Sequence, residues 1–169
     1  GGFVRWLLTV SVTNGNLVME EARLTLGQKL ALNPLTGPAF GQWIRYPMFA
    51  QQVQRAHGAT GLSQADLRDL WALNQMNQGS RISHKVIQYL KERYRFQNTR
   101  WLPGFVAFDG PVHICWGARD TVAPVTVAHR LKALKPEARL SIFDDVGHFA
   151  QLQADPQWSA ALMDFWNAA

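Results

Sequence analysis

Residues Pro111 to Asp120 read Pro-Val-His-Ile-Cys-Trp-Gly-Ala-Arg-Asp and carry the strongest structural signal in the chain. The apolar first part of this stretch is typical of a strand with both faces covered, which is a feature of parallel sheets. Gly117 allows a sharp turn after this strand. Asp120 then comes just past the carboxyl end of the strand, where open parallel sheets bind ligands. An ordinary turn or helix-capping aspartate ahead of Pro124 would give the same pattern.

A histidine follows the next strand along the chain. Pro124 opens a predicted helix, Leu140 to Phe143 forms a strand, and Val-Gly-His ends at His148, 28 residues after Asp120. Adjacent parallel strands that end in an aspartate and a histidine place both side chains at the same edge of the sheet. The carboxylate can then orient the imidazole, and the pair can activate a nucleophile or a water molecule. We therefore take Asp120 and His148 as candidate catalytic residues.

Other acidic and imidazole side chains are weaker candidates. Asp144 and Asp145 lie at the end of a strand and in a turn, where we expect them to be solvated. The remaining histidines lie in a strand, on a helix or in the middle of the chain. We expect all four to be structural or exposed; they are His57, His84, His113 and His129.

A further strand is predicted over Phe3–Thr13, where apolar and β-branched residues run up to Asn14-Gly15-Asn16. Asn14 would end this strand at the same edge of the sheet as the candidate pair. It could contact a substrate there, or it could simply make the turn with Gly15.

The segment 17–108 differs in character, because no strand pattern interrupts it. Ser63 and Asp66 form a capping-box-like start of a helix, and apolar residues follow at helical spacing. A second amphipathic helix is predicted from Ile82 to Leu90. We interpret residues 17–108 as a helical lid inserted into an α/β core formed by residues 1–16 and 109–169, with a parallel sheet.

Composition narrows the class of protein. The chain has 169 residues, of which 47% are hydrophobic and 17% charged, so it is globular and long enough for one domain with a core. The net charge is +5, but Lys and Arg are scattered without interleaved aromatics, so we expect no nucleic-acid partner. No run of 18 apolar residues is present, so we expect no membrane span.

The single cysteine, Cys115, lies within an apolar strand and is expected to be a core residue. No disulfide can form within the chain, and no Cys/His spacing typical of a metal site is present. We expect no metal and no cofactor. Because no signal-peptide pattern is present, we expect a cytoplasmic location.

No nucleophile elbow, Gly-x-[Ser/Asp/Cys]-x-Gly, occurs in the chain. Only Gly37 and Gly41 have the required spacing, and the residue between them is Ala39. The chain also starts without Met and enters directly at a strand. We interpret it as a fragment whose upstream half is missing, and we expect the isolated chain to be inactive. The alternative is a non-catalytic binding or regulatory module.

Several motifs in fixed order resemble the carboxyl-terminal third of an α/β-hydrolase. They are Trp-Gly-Ala-Arg-Asp-Thr-Val-Ala-Pro (116–124), Leu-Lys-Pro-Glu-Ala-Arg-Leu (134–140), Val-Gly-His (146–148) and Ala-Asp-Pro (154–156). Within that superfamily, Ser-Val-Thr-Asn-Gly-Asn (11–16) and Asp-Leu-Trp-Ala-Leu-Asn-Gln-Met-Asn-Gln-Gly (69–79) are similar to the mesoderm-specific transcript protein family. That family belongs to the epoxide hydrolase and haloalkane dehalogenase branch.

The resemblance implies roles for particular residues. Asp120 would be the acid after the seventh strand of the fold, and His148 the general base after the eighth. The nucleophile would be an upstream aspartate that forms an alkyl-enzyme ester with a small-molecule substrate. Lid tyrosines would donate a proton to an opening epoxide, with Tyr46 and Tyr89 as candidates. The sequence does not separate epoxide, haloalkane and ester substrates, because the nucleophile that would decide is absent.

Overall fold

The structure is a computed structural model that describes residues 8–57 and 61–169. In this part of the chain three strands form one parallel sheet in the order β1 (Val10–Thr13), β2 (Val112–Gly117) and β3 (Arg139–Phe143). The strand predicted over Phe3–Thr13 is present from Val10 onward. Its first five residues lie outside the described part of the chain.

The central strand, β2, is the strand around which the core is built. All of its residues are buried, and it pairs in parallel with β1 on one side and β3 on the other. Thr13 lies opposite Cys115, and Gly117 lies opposite Phe143, so the three strands end close together. This confirms the parallel sheet predicted from the apolar sequence of the strand.

Helices cover the two faces of this sheet. On one face α8 (Val125–Leu134) buries an apolar stripe against β2, with Val127, Ala128 and Leu131 fully enclosed. On the other face lies α10 (Asp155–Ala168), whose Phe165 ring centroid is 4.9 Å from that of His113. A short helix, α9 (Ala150–Gln153), precedes α10.

Helix α8 starts one residue later than predicted, because Pro124 is its cap rather than its first residue. Ala154 is the cap of α10, and Asp155 is the first helical residue, whose Oδ1 accepts a hydrogen bond from Ser159 Oγ at 3.0 Å.

Helices fill the described part of the chain between residues 17 and 108, which we call the lid, and no strand occurs there. They are α1 (Leu26–Leu32), α2 (Gly37–Trp43), α3 (Tyr46–Ala56), α4 (Gln64–Gln75), α5 (Gly79–Val86), α6 (Tyr89–Phe96) and α7 (Leu102–Ala107). A 3-10 turn at Met76–Gln78 precedes α5, and a π-helical segment at Gln97–Trp101 precedes α7.

Local sequence signals account for several of these boundaries. The predicted capping box at the start of α4 is present, since Asp66 N–H donates to Ser63 Oγ at 3.1 Å. Asn77 and Gln78 adopt left-handed backbone angles, with φ of 50° and 60°, and separate α4 from α5. The single helix predicted from Ile82 to Leu90 is wrong, because the chain breaks between α5 and α6.

A buried glutamine ties a late segment of the lid to the first residues of the lid. Gln97 is 3% exposed, and its Oε1 accepts a hydrogen bond from the backbone N–H of Met19. Its Nε2 donates to the Glu20 carboxylate at 2.6 and 2.7 Å. At the other end of the lid, buried Lys135 donates to the carbonyl of Phe108 at 2.7 Å.

Within the described residues, no helix is long and apolar enough to cross a membrane.

His113 makes the stability of this core depend on pH. It is completely buried on β2, where its Nε2 lies 2.9 Å from Ser141 Oγ of β3. Burial, aided by the charge of Arg139, lowers the pKa of His113 to about 4. The unfolded chain binds a proton near its ordinary value of about 6.5 while the folded chain does not, so acid favours unfolding.

We therefore predict that the free energy of unfolding falls as the pH is lowered from about 6.5 to about 4, by an amount on the order of 3 kcal/mol. Denaturant unfolding of the full-length protein at several pH values measures this change. His113→Leu should flatten the pH dependence, whereas His129→Asn, on the exposed side of α8, should leave it intact. Equal slopes in the two variants would contradict the assignment.

Candidate active site

The ends of β2 and β3 bring Asp120 and His148 together. Asp120 Oδ2 and His148 Nδ1 are 2.8 Å apart, which confirms the predicted juxtaposition of the two side chains. The Asp120 side chain is fully buried, whereas 24% of the His148 side chain is exposed. We call these two residues the dyad.

Every acceptor position of the Asp120 carboxylate is used. Oδ1 accepts the backbone N–H groups of Val122 at 2.7 Å and Ala123 at 2.9 Å. Oδ2 accepts from Asn14 Nδ2 at 2.8 Å, in addition to His148. A buried carboxylate requires such partners, and with four of them this side chain is held in one orientation.

This arrangement determines which ring nitrogen of His148 is basic. The carboxylate accepts a hydrogen bond from Nδ1, so Nδ1 carries the proton. When the ring is neutral, Nε2 on its other side carries no proton and can accept one. A neutral imidazole oriented by a buried carboxylate is the arrangement that general-base catalysis requires.

Backbone contacts between the two loops fix the position of the dyad. Arg119 N–H donates to the carbonyl of Val146 at 2.8 Å. Gly117 lies so close to this loop that a Cβ atom would collide with the carbonyls of Val146 and Gly147. The glycine that the sequence indicates for a sharp turn is therefore also required by the close approach of the loop that carries His148.

Asn14 joins the ends of all three strands that the structure describes. Its backbone is left-handed, with φ of 41°, as a turn before Gly15 requires. Its Nδ2 donates to Asp120 and, at 3.2 Å, to the carbonyl of Gly147, while its Oδ1 accepts from Gly117 N–H at 3.4 Å. The Asn14 side chain is therefore hydrogen-bonded to the dyad and to the loops that carry it. Direct contact of Asn14 with a substrate stays a prediction.

The two candidate tyrosines lie in the lid. Tyr46 is the first residue of α3, and its hydroxyl donates to Gln64 Oε1 at 3.3 Å. Ala56, at the other end of α3, contacts His148, so at 1.5 Å per residue Tyr46 is about 15 Å away along the helix. Tyr89 is on α6, where its ring faces the Arg93 guanidinium at 5.3 Å. A role for either tyrosine in substrate binding stays a prediction.

The remaining acidic and imidazole residues divide into exposed and buried groups. Asp144 and Asp145 are exposed, as expected. His84 and His129 do not contribute to the dyad, and His113 belongs to the core. His57 is different: it is only 5% exposed, and its ring stacks on Phe149, the neighbour of His148. No spacing in the sequence indicates this position, because it depends on how the lid packs onto the core.

A parallel sheet with helices on both faces, a lid inserted between its strands and an acid–histidine dyad at the strand ends defines a class of α/β proteins with hydrolase-like architecture. The family model of the alpha/beta hydrolase fold matches residues 10–155. The chain therefore belongs to the α/β hydrolase fold family.

Curated relatives cover nearly all of the chain. It is 31% identical over 153 residues to "Putative hydrolase LipZ" of Mycobacterium tuberculosis, across 90% of the chain and 52% of that protein. It is 26% identical over 164 residues to the mesoderm-specific transcript protein of Mus musculus, across 95% of the chain and 49% of that protein. The chain thus spans about half the length of these relatives.

Solved structures share the fold at low sequence identity. An alpha/beta hydrolase fold protein from Burkholderia ambifaria matches with a TM-score of 0.70 and 18% identity, over 92% of this chain and 56% of that one. The 2-hydroxy-6-oxo-6-phenylhexa-2,4-dienoate hydrolase of a Rhodococcus species matches with a TM-score of 0.69 and 14% identity, over 95% and 55%. At such identities the likeness concerns the fold alone.

We expect the hydrogen bond between Asn14 and Asp120 to stabilise the folded protein. Its contribution can be measured separately from any effect of the left-handed backbone at Asn14. Asn14→Gly keeps a residue suited to positive φ but removes the amide, so we expect the free energy of unfolding to fall by about 1–3 kcal/mol. Asn77→Gly is the matched control, because Asn77 is also left-handed but exposed in the lid. Denaturant unfolding of the full-length variants measures both values, and equal losses would contradict a specific contribution of the Asn14 amide.

Proposed function

We propose that this chain carries the acid and the general base of a hydrolase, and that sequence upstream of it supplies the nucleophile. The observation that carries the proposal is the 2.8 Å hydrogen bond between Asp120 and His148. Three further donors to the Asp120 carboxylate support it, because a merely solvated aspartate would not need a complete set of buried partners.

The missing nucleophile elbow and the length of the relatives support an upstream partner segment. The chain covers 52% and 49% of the two curated relatives described above. In the proposed protein the chain is the carboxyl-terminal portion of the fold, and the segment before it contributes further strands and the elbow.

The chemistry that we propose has two steps. The oxygen of the upstream nucleophile attacks a substrate carbon and forms a bond to it, while the bond from that carbon to its leaving group (epoxide oxygen, halide or alcohol oxygen) breaks. An enzyme-bound ester results. His148 Nε2 then removes a proton from water, and the hydroxide oxygen attacks the carbonyl carbon of the ester. The ester C–O bond breaks, the departing oxygen takes the proton back from His148, and product and nucleophile are released. Asp120 stabilises the imidazolium that forms during proton transfer. A small organic molecule that fits beneath the lid is the proposed substrate class.

Within this scheme we favour an aspartate nucleophile, as in the epoxide hydrolase and haloalkane dehalogenase branch. The motifs at 11–16 and 69–79, similar to the mesoderm-specific transcript family, support this assignment. One observation favours a second candidate, a serine nucleophile acting on esters. Tyr46, a candidate proton donor to an epoxide, is hydrogen-bonded to Gln64 within the lid and lies at the far end of α3 from His148. A non-catalytic binding module is the remaining alternative.

Intermediate trapping separates these functions. If the nucleophile is an aspartate, His148 is required only for the second step, so His148→Gln in the full-length protein should accumulate the ester. Intact-protein mass spectrometry after incubation with an epoxide or haloalkane should then show a mass increase. His84→Gln, a lid histidine outside the dyad, is the matched control and should turn over without accumulation.

Each other outcome points to a specific alternative. With a serine nucleophile His148 is required for the first step as well, so His148→Gln would show neither turnover nor a trapped species. Asp120→Asn should reduce turnover in either case, with about 10⁴-fold as the upper guide from triad enzymes. A full-length wild-type protein that hydrolyses none of these substrates would favour the binding module.

A further inference from the structure

The end of lid helix α3 is hydrogen-bonded to both loops of the dyad, the one that carries Asp120 and the one that carries His148. A helix leaves its last four carbonyl groups without partners inside the helix. Here the first two of them are satisfied by His57, the residue that ends the helix. Its Nδ1 lies 2.6 Å from the carbonyl of Val53, and its backbone N–H donates to the carbonyl of Gln54 at 3.2 Å.

The loops of the dyad satisfy the other two carbonyls. Thr121 Oγ1, next to Asp120, donates to the carbonyl of Arg55 at 3.0 Å. The backbone N–H of His148 itself donates to the carbonyl of Ala56 at 3.0 Å. The lid therefore holds the backbone of the catalytic histidine at the point where its side chain leaves the loop.

Aromatic contacts extend this support to the side chain. The His57 ring stacks on Phe149 with centroids 4.8 Å apart and an interplanar angle of 20°. Phe149 in turn meets the His148 ring edge-on, with centroids 5.1 Å apart and an angle of 72°. Such aromatic pairs have preferred geometries, so the ladder His57–Phe149–His148 restricts the orientations open to the catalytic ring.

His57 can perform this role without adding a charge. Its Nδ1 faces the carbonyl of Val53, and its Nε2 is buried without a hydrogen-bond partner among the described residues, so a second proton on Nε2 would be left unsatisfied. Burial, the largest effect, lowers the pKa of His57, and a positive charge on His148 lowers it further. The hydrogen bond to Val53 and the charge of Asp120 oppose these effects, and the net shift is downward. A neutral ring beside His148 adds no repulsion when the imidazolium forms. The partial negative charge at the end of an 11-residue helix favours that imidazolium.

We propose that His57 and the last turn of α3 form a positioning element that holds His148 in the orientation in which it bonds to Asp120. This inference rests on the proposed function, since it gives the lid a role in aligning the general base. It assigns His57 no contact with substrate: the residue acts through Phe149 and through the backbone of the helix end.

The test compares variants of the full-length protein by steady-state kinetics and by NMR. His57→Ala removes the stacked ring, so we expect kcat to fall by about tenfold or more while KM changes little, because orientation rather than binding is lost. His57→Phe restores a ring without a titrating nitrogen and should recover most of kcat. His84→Ala, in lid helix α5 and outside the ladder, should leave kcat unchanged.

Long-range ¹H–¹⁵N correlation spectra of the histidine rings provide a readout that does not need turnover. In the wild-type protein His148 should show the Nδ1-protonated tautomer alone, and in His57→Ala it should become a mixture of tautomers. A mere loss of packing would lower the melting temperature without changing the tautomer of His148. An unchanged kcat together with an unchanged tautomer in His57→Ala would overturn the inference.

The two proposals fail in different ways. A wild-type protein without hydrolytic activity, but with a His148 tautomer that depends on His57, would overturn the proposed function and support the positioning element. If His57→Ala does not fold, Thr121→Val replaces it as the test. Thr121 is exposed, and the substitution removes only its hydrogen bond to the carbonyl of Arg55. A smaller fall in kcat at constant KM then supports the inference, and an unchanged kcat overturns it.

Discussion

The burial of the Asp120 carboxylate is the constraint on which the rest of the site depends. A carboxylate removed from water costs several kcal/mol unless hydrogen bonds replace its hydration. Four donors meet this requirement: two loop amides, the amide of Asn14 and the ring of His148. Because these donors come from the ends of different strands, the requirements of one side chain determine how β1, β2 and the loop after β3 meet.

The lid completes this arrangement from the opposite side. Its helix α3 ends against the loops that carry Asp120 and His148, and its last two carbonyls have no helical partner of their own. Thr121 and the backbone of His148 supply the missing donors. The contacts that cap the end of α3 are therefore also contacts to the two loops of the dyad. They join the inserted helical segment directly to loops that follow strands of the sheet.

The sequence predicts the sheet and the dyad well, since both follow from local signals. The local signals follow one another along the chain: an apolar strand, a glycine turn and Asp120, and then a second strand and Gly147-His148. Parallel pairing of the two strands brings the side chains of Asp120 and His148 together. The role of Asn14 and the position of His57 could not be predicted. Both depend on contacts between residues far apart in the chain, and neither periodicity nor spacing records how a lid packs onto a core.

A high-resolution structure of the full-length protein is the decisive measurement, because it would show what faces His148 Nε2. We expect an aspartate or serine oxygen from a strand-to-helix turn upstream, about 2.6–3.2 Å from Nε2 or one water molecule away. Asp120 should remain bonded to Nδ1 on the other side of the ring. An upstream segment that places only apolar side chains or no nucleophile against Nε2 would contradict the claim that the dyad serves a hydrolase.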